Sequence, residues 1–333
     1  MTTEPSIGIL GTGSYVPGTE VTNAEIAARV GVAEEWIADR TQITGRRFAA
    51  PDEATSDLAI RAAERALKSA GVSAGEIDYL IVSTSTPDSP QPPTAYHVQR
   101  GINANAAACL DINVVCSGFV YGLSLAQALI RQRPGSRALV IGADLYSRSL
   151  DFSDRRTAVL LGDGAGAAVV GEVEPPYGFL GFDLAARGDA HHLIRVEAGG
   201  SRRPASAETV EEGGHFFRME GRAVRDFVLE HLPDFINALC ERTGTALERV
   251  DHFVPHQPNG VLLSQLVERC GLTAAETHRT LDRYGNTGSA SVALTLDTAH
   301  LGNRLRDGDL VLLAAFGGGM SLGAGLLRWR VGA

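Results

Sequence analysis

The chain has 333 residues and a formal charge of −9, from 39 acidic and 30 basic side chains. That length exceeds one small core and suits two domains or a duplicated unit. The acidic balance argues against a nucleic-acid partner, which a basic face would serve. No run reaches the ~18 apolar residues of a membrane span, so no membrane partner is expected. The opening Met-Thr-Thr-Glu-Pro-Ser lacks the basic patch and apolar stretch of a secretory leader. Cys109, Cys116, Cys240 and Cys270 make no CxxC pair and no zinc-like spacing. The expectation is no metal, reduced thiols and a cytoplasmic location.

In chain order, Tyr79–Thr84 reads as a strand, followed by a Pro-rich loop (87–93) and a helix from about Thr94. The β-branched run Ile112–Val115 reads as a short buried strand. Phe119, Val120, Leu123, Gln127 and Ile130 then recur at helical spacing. Cys116 therefore falls at a strand-to-helix turn, near the positive end of a helix dipole that favours the nucleophilic thiolate. A strand at Ala138–Gly142 and the glycine-rich run 162–170 follow. Without a Lys-Ser/Thr after it, that run reads as close packing rather than a phosphate loop. The charged, glycine-containing stretch 187–214 reads as a flexible insertion.

The second half repeats the first. A strand at Asp251–Pro255 ends in His256-Gln-Pro-Asn, and a helix starts near Gly260. Gly285-Asn286-Thr-Gly and another helix come next, then a strand at Leu310–Ala315 and the run Gly317-Gly-Gly-Met. The interval from Thr86 to Cys116 equals that from His256 to Asn286. Two similar α/β halves are expected, 1–173 with Cys116 and 174–333 with His256 and Asn286. Each is a mixed sheet covered by helices. Packed face to face about a pseudo-twofold, they aim both turns at one site.

Six segments carry a resemblance: Glu35-Trp-Ile-Ala-Asp-Arg-Thr41, Asp111 to Leu123, Leu161-Gly-Asp-Gly-Ala-Gly166, Val254-Pro-His-Gln-Pro-Asn259, Gly285-Asn-Thr287 and Ala315-Phe-Gly-Gly-Gly319. In this order, across nearly the whole chain, they resemble a β-ketoacyl-acyl carrier protein synthase III of the thiolase superfamily. The resemblance implies a duplicated five-layer α-β-α-β-α fold and a Cys116-His256-Asn286 triad. Cys116 would take an acyl group from an acyl-CoA, and His256 and Asn286 would stabilise the enolate formed by malonyl decarboxylation. The N–H groups of Cys116 and Gly319 would form an oxyanion hole. Trp36 and Arg155 would sandwich the adenine of coenzyme A, with Arg40 near its phosphates. Asn259 would help place the pantetheine arm or a water, and Gln91 and Phe316 would wall the acyl pocket. The CoA thioester is substrate; no permanently bound cofactor is implied. A homodimer is implied, with the Gln91 loop crossing into the partner.

The chain departs from that pattern at four places. Ser117 replaces the usual Ala and adds a hydroxyl near the pocket. Gln42 stands where a glycine is expected, and polar Gln91 suits a polar or short acyl group. Asp226, Val261 and Glu268 occupy positions where the family docks its acidic carrier on basic residues, with Arg222, Arg225 and Arg269 nearby to compensate. Two functions follow from the residues. One is decarboxylative condensation with a malonyl thioester, on CoA or an acyl carrier protein, in a specialised polyketide or fatty-acid-type pathway. The other is acyl transfer to a hydroxyl, amine or carrier thiol, with His256 as general base. Asn286 favours the first and the altered docking surface the second.

Overall fold

The computed structural model describes residues 6–331; residues 1–5, behind the no-leader expectation, lie outside it. The strands run β1 (Ser6–Tyr15), β2 (Thr19–Thr22), β3 (Gly45–Phe48), β4 (Tyr79–Ser83), β5 (Ala108–Ile112), β6 (Ala138–Asp144) and β7 (Gly164–Val173). After them come β8 (Gly178–Ala186), β9 (Ile194–Arg195), β10 (Arg218–Met219), β11 (His252–Pro255), β12 (Glu276–Thr277), β13 (Leu310–Gly317) and β14 (Ser321–Arg328). The helices are α1 (Asn23–Val30), α2 (Glu34–Thr41), α3 (Thr55–Ala70), α4 (Thr94–Ile102) and α5 (Gly118–Gln132). The second set is α6 (Ala207–Glu211), α7 (Gly221–Arg242), α8 (Gly260–Arg269), α9 (Leu281–Tyr284) and α10 (Ala290–Leu301).

The duplication is written in the strand order. One sheet runs β1-β7-β6-β4-β5 and the other β8-β14-β13-β11-β12, so each strand has its counterpart at the same place. Helices α3 and α4 cover the outer face of the first sheet, and α7 and α8 that of the second. Between the sheets lie α5 and α10, which touch each other and both sheets. This is the five-layer α-β-α-β-α arrangement. A helix packed on all sides must be apolar all round, and α10 is buried along most of its length. Its Asp297 is satisfied by the hydroxyls of Thr12 (2.8 Å) and Ser14 (2.5 Å) of β1. The middle-layer core joins Phe119, Leu123 and Ala126 of α5 to Val292 and Leu296 of α10, between Val140 and Leu313.

The glycine run of 162–170 does serve close packing. A Cβ on Gly166 would lie 2.5 Å from that of Ala293, so a larger residue would push α10 off the first sheet. Two expectations change. The strand before Cys116 is Ala108–Ile112, not Ile112–Val115, and it is the half-exposed edge strand of its sheet. Val114 and Val115 propose a strand by propensity, but the chain must turn there to enter α5. The stretch 187–214 is ordered, with α6, the β9–β10 ladder and ion pairs from Glu197 to Arg195 and Arg203.

Candidate active site

Cys116 sits in a single 3-10 turn (Val115–Ser117) that runs directly into α5. Val115 takes φ 47°, where a β-branched residue stores roughly 1–2 kcal/mol of strain. The Asn113 Oδ1 accepts the Val115 N–H at 3.3 Å and holds the turn. The sulfur's residue keeps 7 % of its surface exposed. Burial first, and the Asp144 carboxylate second, push the Cys116 thiol well above the ordinary cysteine range, against a lowering by its own N–H. Burial of the sulfur thus opposes the preference of the helix dipole for the thiolate. Ser117 does not face the pocket: its hydroxyl is tied to Ser321 of β14 at 3.0 Å.

His256 follows β11 and is 2 % exposed. Its Nδ1 lies 2.7 Å from the Ser291 hydroxyl on α10, and its ring meets Phe316 edge-on at 5.1 Å. Phe316 thus braces the imidazole. Burial lowers the His256 pKa to about 3, so the ring is neutral at ordinary pH. Asn286 precedes α10. Its Oδ1 accepts the Gly288 N–H at 2.9 Å, which leaves the Nδ2 donor free to face the site.

Two strings of contact bring these groups together. A Cβ on Gly317 would lie 2.7 Å from the Cys116 nitrogen; Gly317 follows Phe316, which touches His256. On the other side, buried Asp144 at the end of β6 accepts the Ser289 N–H at 2.7 Å and the Ser85 N–H at 2.9 Å. The hydroxyls of Thr84, Ser85 and Thr86 also donate to it. Burial raises the Asp144 pKa, against these donors. Asp144 so fixes segment 286–291, which holds both Asn286 and Ser291, beside Cys116. Neither Asp144 nor Ser291 was foreseen from sequence; the signal for the first was a carboxylate ending an apolar strand.

The three glycines after Phe316 hold three different places. Gly317 pairs with Ser321 in the β13–β14 ladder, and a Cβ on Gly318 would touch Val115 at 3.3 Å. Gly319 takes φ 127° at the exposed turn beyond. Gly318, between the two, packs on Val115 of the turn that carries Cys116.

A cavity of about 540 Å³ is lined by Trp36, Arg40, Arg155, Asn259 and Asn286 among others. Trp36 and Arg155 stack on each other, guanidinium carbon 5.5 Å from the ring centroid, so a base between them requires the arginine to lift. Asn259 is engaged structurally: its Oδ1 caps α8 through Val261 and Leu262, and its Nδ2 donates to the Arg40 carbonyl at 3.0 Å. Gln42 takes the left-handed position (φ 58°) ending α2, where glycine was expected. A second cavity, about 410 Å³, lies on the Val115 side and is lined by Ser85, Tyr146, Arg195, His215 and Phe217 among others. Gln91 lines neither cavity of its own chain; it is exposed on its loop.

A duplicated five-layer fold with a buried cysteine at the head of one of its two central helices is that of a condensing enzyme of the thiolase kind. Two family models match: 3-oxoacyl-[acyl-carrier-protein] synthase III over residues 110–188 and its C-terminal part over residues 240–329. The chain is 47 % identical to acetoacetyl CoA synthase NphT7 of Streptomyces sp. strain CL190, over 98 % of this chain and all of that one (100 %). It is 44 % identical to a beta-ketoacyl-[acyl-carrier-protein] synthase III of Caldanaerobacter subterraneus, over 97 % of each. The crystal structure of the 3-oxoacyl-[acyl-carrier-protein] synthase III of Aquifex aeolicus superposes with a TM-score of 0.89 at 34 % identity, over 97 % of this chain and 100 % of that one. The chain belongs to the 3-oxoacyl-[acyl-carrier-protein] synthase III family. It is a ketosynthase III-like enzyme that takes an acyl group from acyl-CoA, a substrate rather than a resident cofactor, and condenses it decarboxylatively with a malonyl thioester. Among the described residues, no helix is long and apolar enough to cross a membrane.

Proposed function

We propose that both thioesters are carried on coenzyme A, so that the enzyme makes a short β-ketoacyl-CoA. The observation that carries this is the charge beside the cavity mouth. The groove between α7 and α8 is lined by Asp226, Leu229, Glu230, Gln265, Glu268 and Arg269, and it shares Gln265 with the 540 Å³ cavity. Arg225, a compensating cation in the sequence reading, is tied to Asp226 at 2.6 Å. Asp226, Glu230 and Glu268 against the single Arg269 leave that groove net acidic, which lowers both the encounter rate and the affinity of an acidic carrier. The name of the Streptomyces relative, a CoA synthase, points the same way.

In this reading the Cys116 sulfur attacks the acyl-CoA carbonyl, the C–S bond to CoA breaks, and the thiol proton ends on the departing CoA. The N–H groups of Cys116 and Gly318 hold the tetrahedral oxyanion. Malonyl-CoA then loses CO2; the resulting enolate, held by His256 Nε2–H and Asn286 Nδ2, attacks the acyl carbonyl and expels the sulfur as a thiolate, which takes a proton from solvent. Trp36, Arg40 and Arg155 hold the nucleotide of each CoA in turn. A histidine titrating near 3 is a weak base, which favours condensation over acyl transfer to a hydroxyl or amine.

The acyl group is short. The buried Tyr146 ring sits edge-on to Phe217 at 5.5 Å, and its hydroxyl is 2.6 Å from that of Ser85. This pair walls the cavity beside Val115 on the sulfur's flank, and the hydroxyls of Ser85, Thr86, Tyr146 and Ser149 with Arg195 make that cavity a poor host for a long alkyl chain. The same reading divides the chain at 173/174 and assembles it as a homodimer. The exposed edge strand β5 offers the pairing surface and places Gln91 to cross into the partner.

The test compares kcat/KM for malonyl-CoA and a malonyl-carrier, with acetyl-, butyryl- and octanoyl-CoA as donors. The CoA acceptor is expected to win by at least about tenfold, with the acetyl donor fastest. A carrier preferred over malonyl-CoA would overturn the reading.

Ser291 positions the imidazole so that Nδ1 accepts and Nε2 keeps its proton. Ser291→Ala is expected to slow condensation about fivefold, the worth of one hydrogen bond near 1 kcal/mol. Loading of Cys116, followed by intact mass, should stay within about twofold of wild type.

A further inference from the structure

At the end of β11 remote from His256, three ligand-type side chains converge. His252 opens β11, Glu276 lies opposite it in β12, and His278 follows two residues on. Their donor atoms all lie within 4.8 Å of one another. His278 Nε2 stands 3.0 Å from His252 Nδ1, which is 3.8 Å from Glu276 Oε2. His278 Nδ1 is 3.7 Å from Glu276 Oε1, the oxygen that Arg304 takes at 2.5 Å. The other nitrogen of His252, Nε2, meets Asp309 Oδ2 at 2.8 Å.

A carboxylate accepts, so His252 Nε2 carries the ring's proton and Nδ1 presents a bare lone pair to the cluster. A neutral His278 brings one N–H and one lone pair. The carboxylate of Glu276 adds more lone pairs, with Oε2 free of Arg304. Two imidazoles and a carboxylate thus share a single N–H. With Arg304 engaging only Oε1, the lone pairs of His252 Nδ1, His278 and Glu276 Oε2 face one point, as a cation's ligands would.

We propose that His252 Nδ1, a nitrogen of His278 and Glu276 Oε2 form a binding site for a divalent zinc-class ion, completed by water. Imidazole and carboxylate are the ligand set zinc takes in proteins. Bond lengths of about 2.0–2.1 Å place tetrahedral ligand atoms roughly 3.3 Å apart. The observed 3.0 and 3.8 Å bracket that spacing. Asp309 behind His252 is the outer carboxylate that fixes the tautomer of a ligating histidine. The four cysteines take no part, which is why a search for cysteine spacing passes the site by.

The ion's role is structural. Strand β12 has only two residues at the edge of its sheet, and the chain runs from it to Asn286. Just past it, Gln257 donates to the His278 carbonyl at 3.2 Å and accepts the Thr280 N–H at 3.1 Å. Bridging β11 and β12 steadies the root of the loop that carries the catalytic amide.

The test titrates Zn2+ by calorimetry into the full chain carrying Cys116→Ser, so that metal on the reactive sulfur is not counted. Co2+ absorption reports the coordination geometry. One equivalent binding more tightly than about 50 µM is expected, with Tm raised by roughly 2–4 °C at saturation. Affinity should fall about 100-fold in His278→Ala and about tenfold in Asp309→Asn. Should His278→Ala fail to fold, Glu276→Gln decides, with an expected loss of at least about tenfold. Binding weaker than about 50 µM, or an equivalent retained at full affinity in the folded ligand variants, overturns the proposal.

Discussion

Replacing Cys116 with alanine is expected to abolish acyl loading and to cut overall condensation by at least about 10⁴-fold, the scale seen when a covalent nucleophile is removed. The argument is geometric. Cys116 is held at the head of α5 by a strained Val115 and pressed against Gly317, so no neighbouring side chain can take its place. The alanine variant fits the same space, and the CoA cavity with Trp36 and Arg155 is untouched. Binding of CoA should therefore survive while the acyl mass disappears from the protein. Slow decarboxylation of malonyl-CoA without product should also persist, because His256 and Asn286 remain. Intact mass spectrometry after incubation with acetyl-CoA checks the first effect and CO2 release the second. An acyl mass retained by Cys116→Ala would move the nucleophile elsewhere.

The second large effect separates the two half-reactions. His256→Ala and Asn286→Ala should each leave loading within a few-fold of wild type but slow condensation by about 10²–10³, the usual loss for one oxyanion donor. The double variant should be little worse than either single one, since both donors serve one oxygen. The buried, neutral state of His256 adds a pH test. An ordinary histidine changes charge near 6.5, whereas burial carries this one to about 3. Folded, it stays neutral as pH falls through 6.5 and takes a proton only near 3. The condensation rate on preloaded enzyme should thus show no histidine inflection between about pH 5 and 8. An inflection near 6.5 would mean that the ring is more exposed than its contacts with Ser291 and Phe316 allow.

Much of this was legible in the sequence, for physical reasons. Equal spacings from strand to turn in both halves require equal crossovers, and the two sheets do share one strand order. What escaped depended on packing. The valines before Cys116 favour a strand, yet tertiary demand turns Val115 to a positive φ. Three adjacent glycines cannot be told apart until the β13–β14 register puts Gly317 in the ladder and Gly319 on the surface. Ser291 reaches His256 across 35 positions only because α10 lies between the sheets. Asn259 lines the cavity and also caps α8, a second role that only the structure shows. The charge at Arg225 was readable, but its ion pair with Asp226 was not.

The most direct measurement follows single-turnover chemistry on preloaded enzyme. Acetyl-Cys116 protein is mixed with malonyl-CoA, and acyl mass, CO2 and β-ketoacyl-CoA are read from the same quenched samples. A sulfur, an imidazole and an amide gathered around one thioester require all three signals to move together, one for one. Acetyl leaving the protein without CO2, or CO2 escaping at full rate while the acetyl stays, would contradict that convergence.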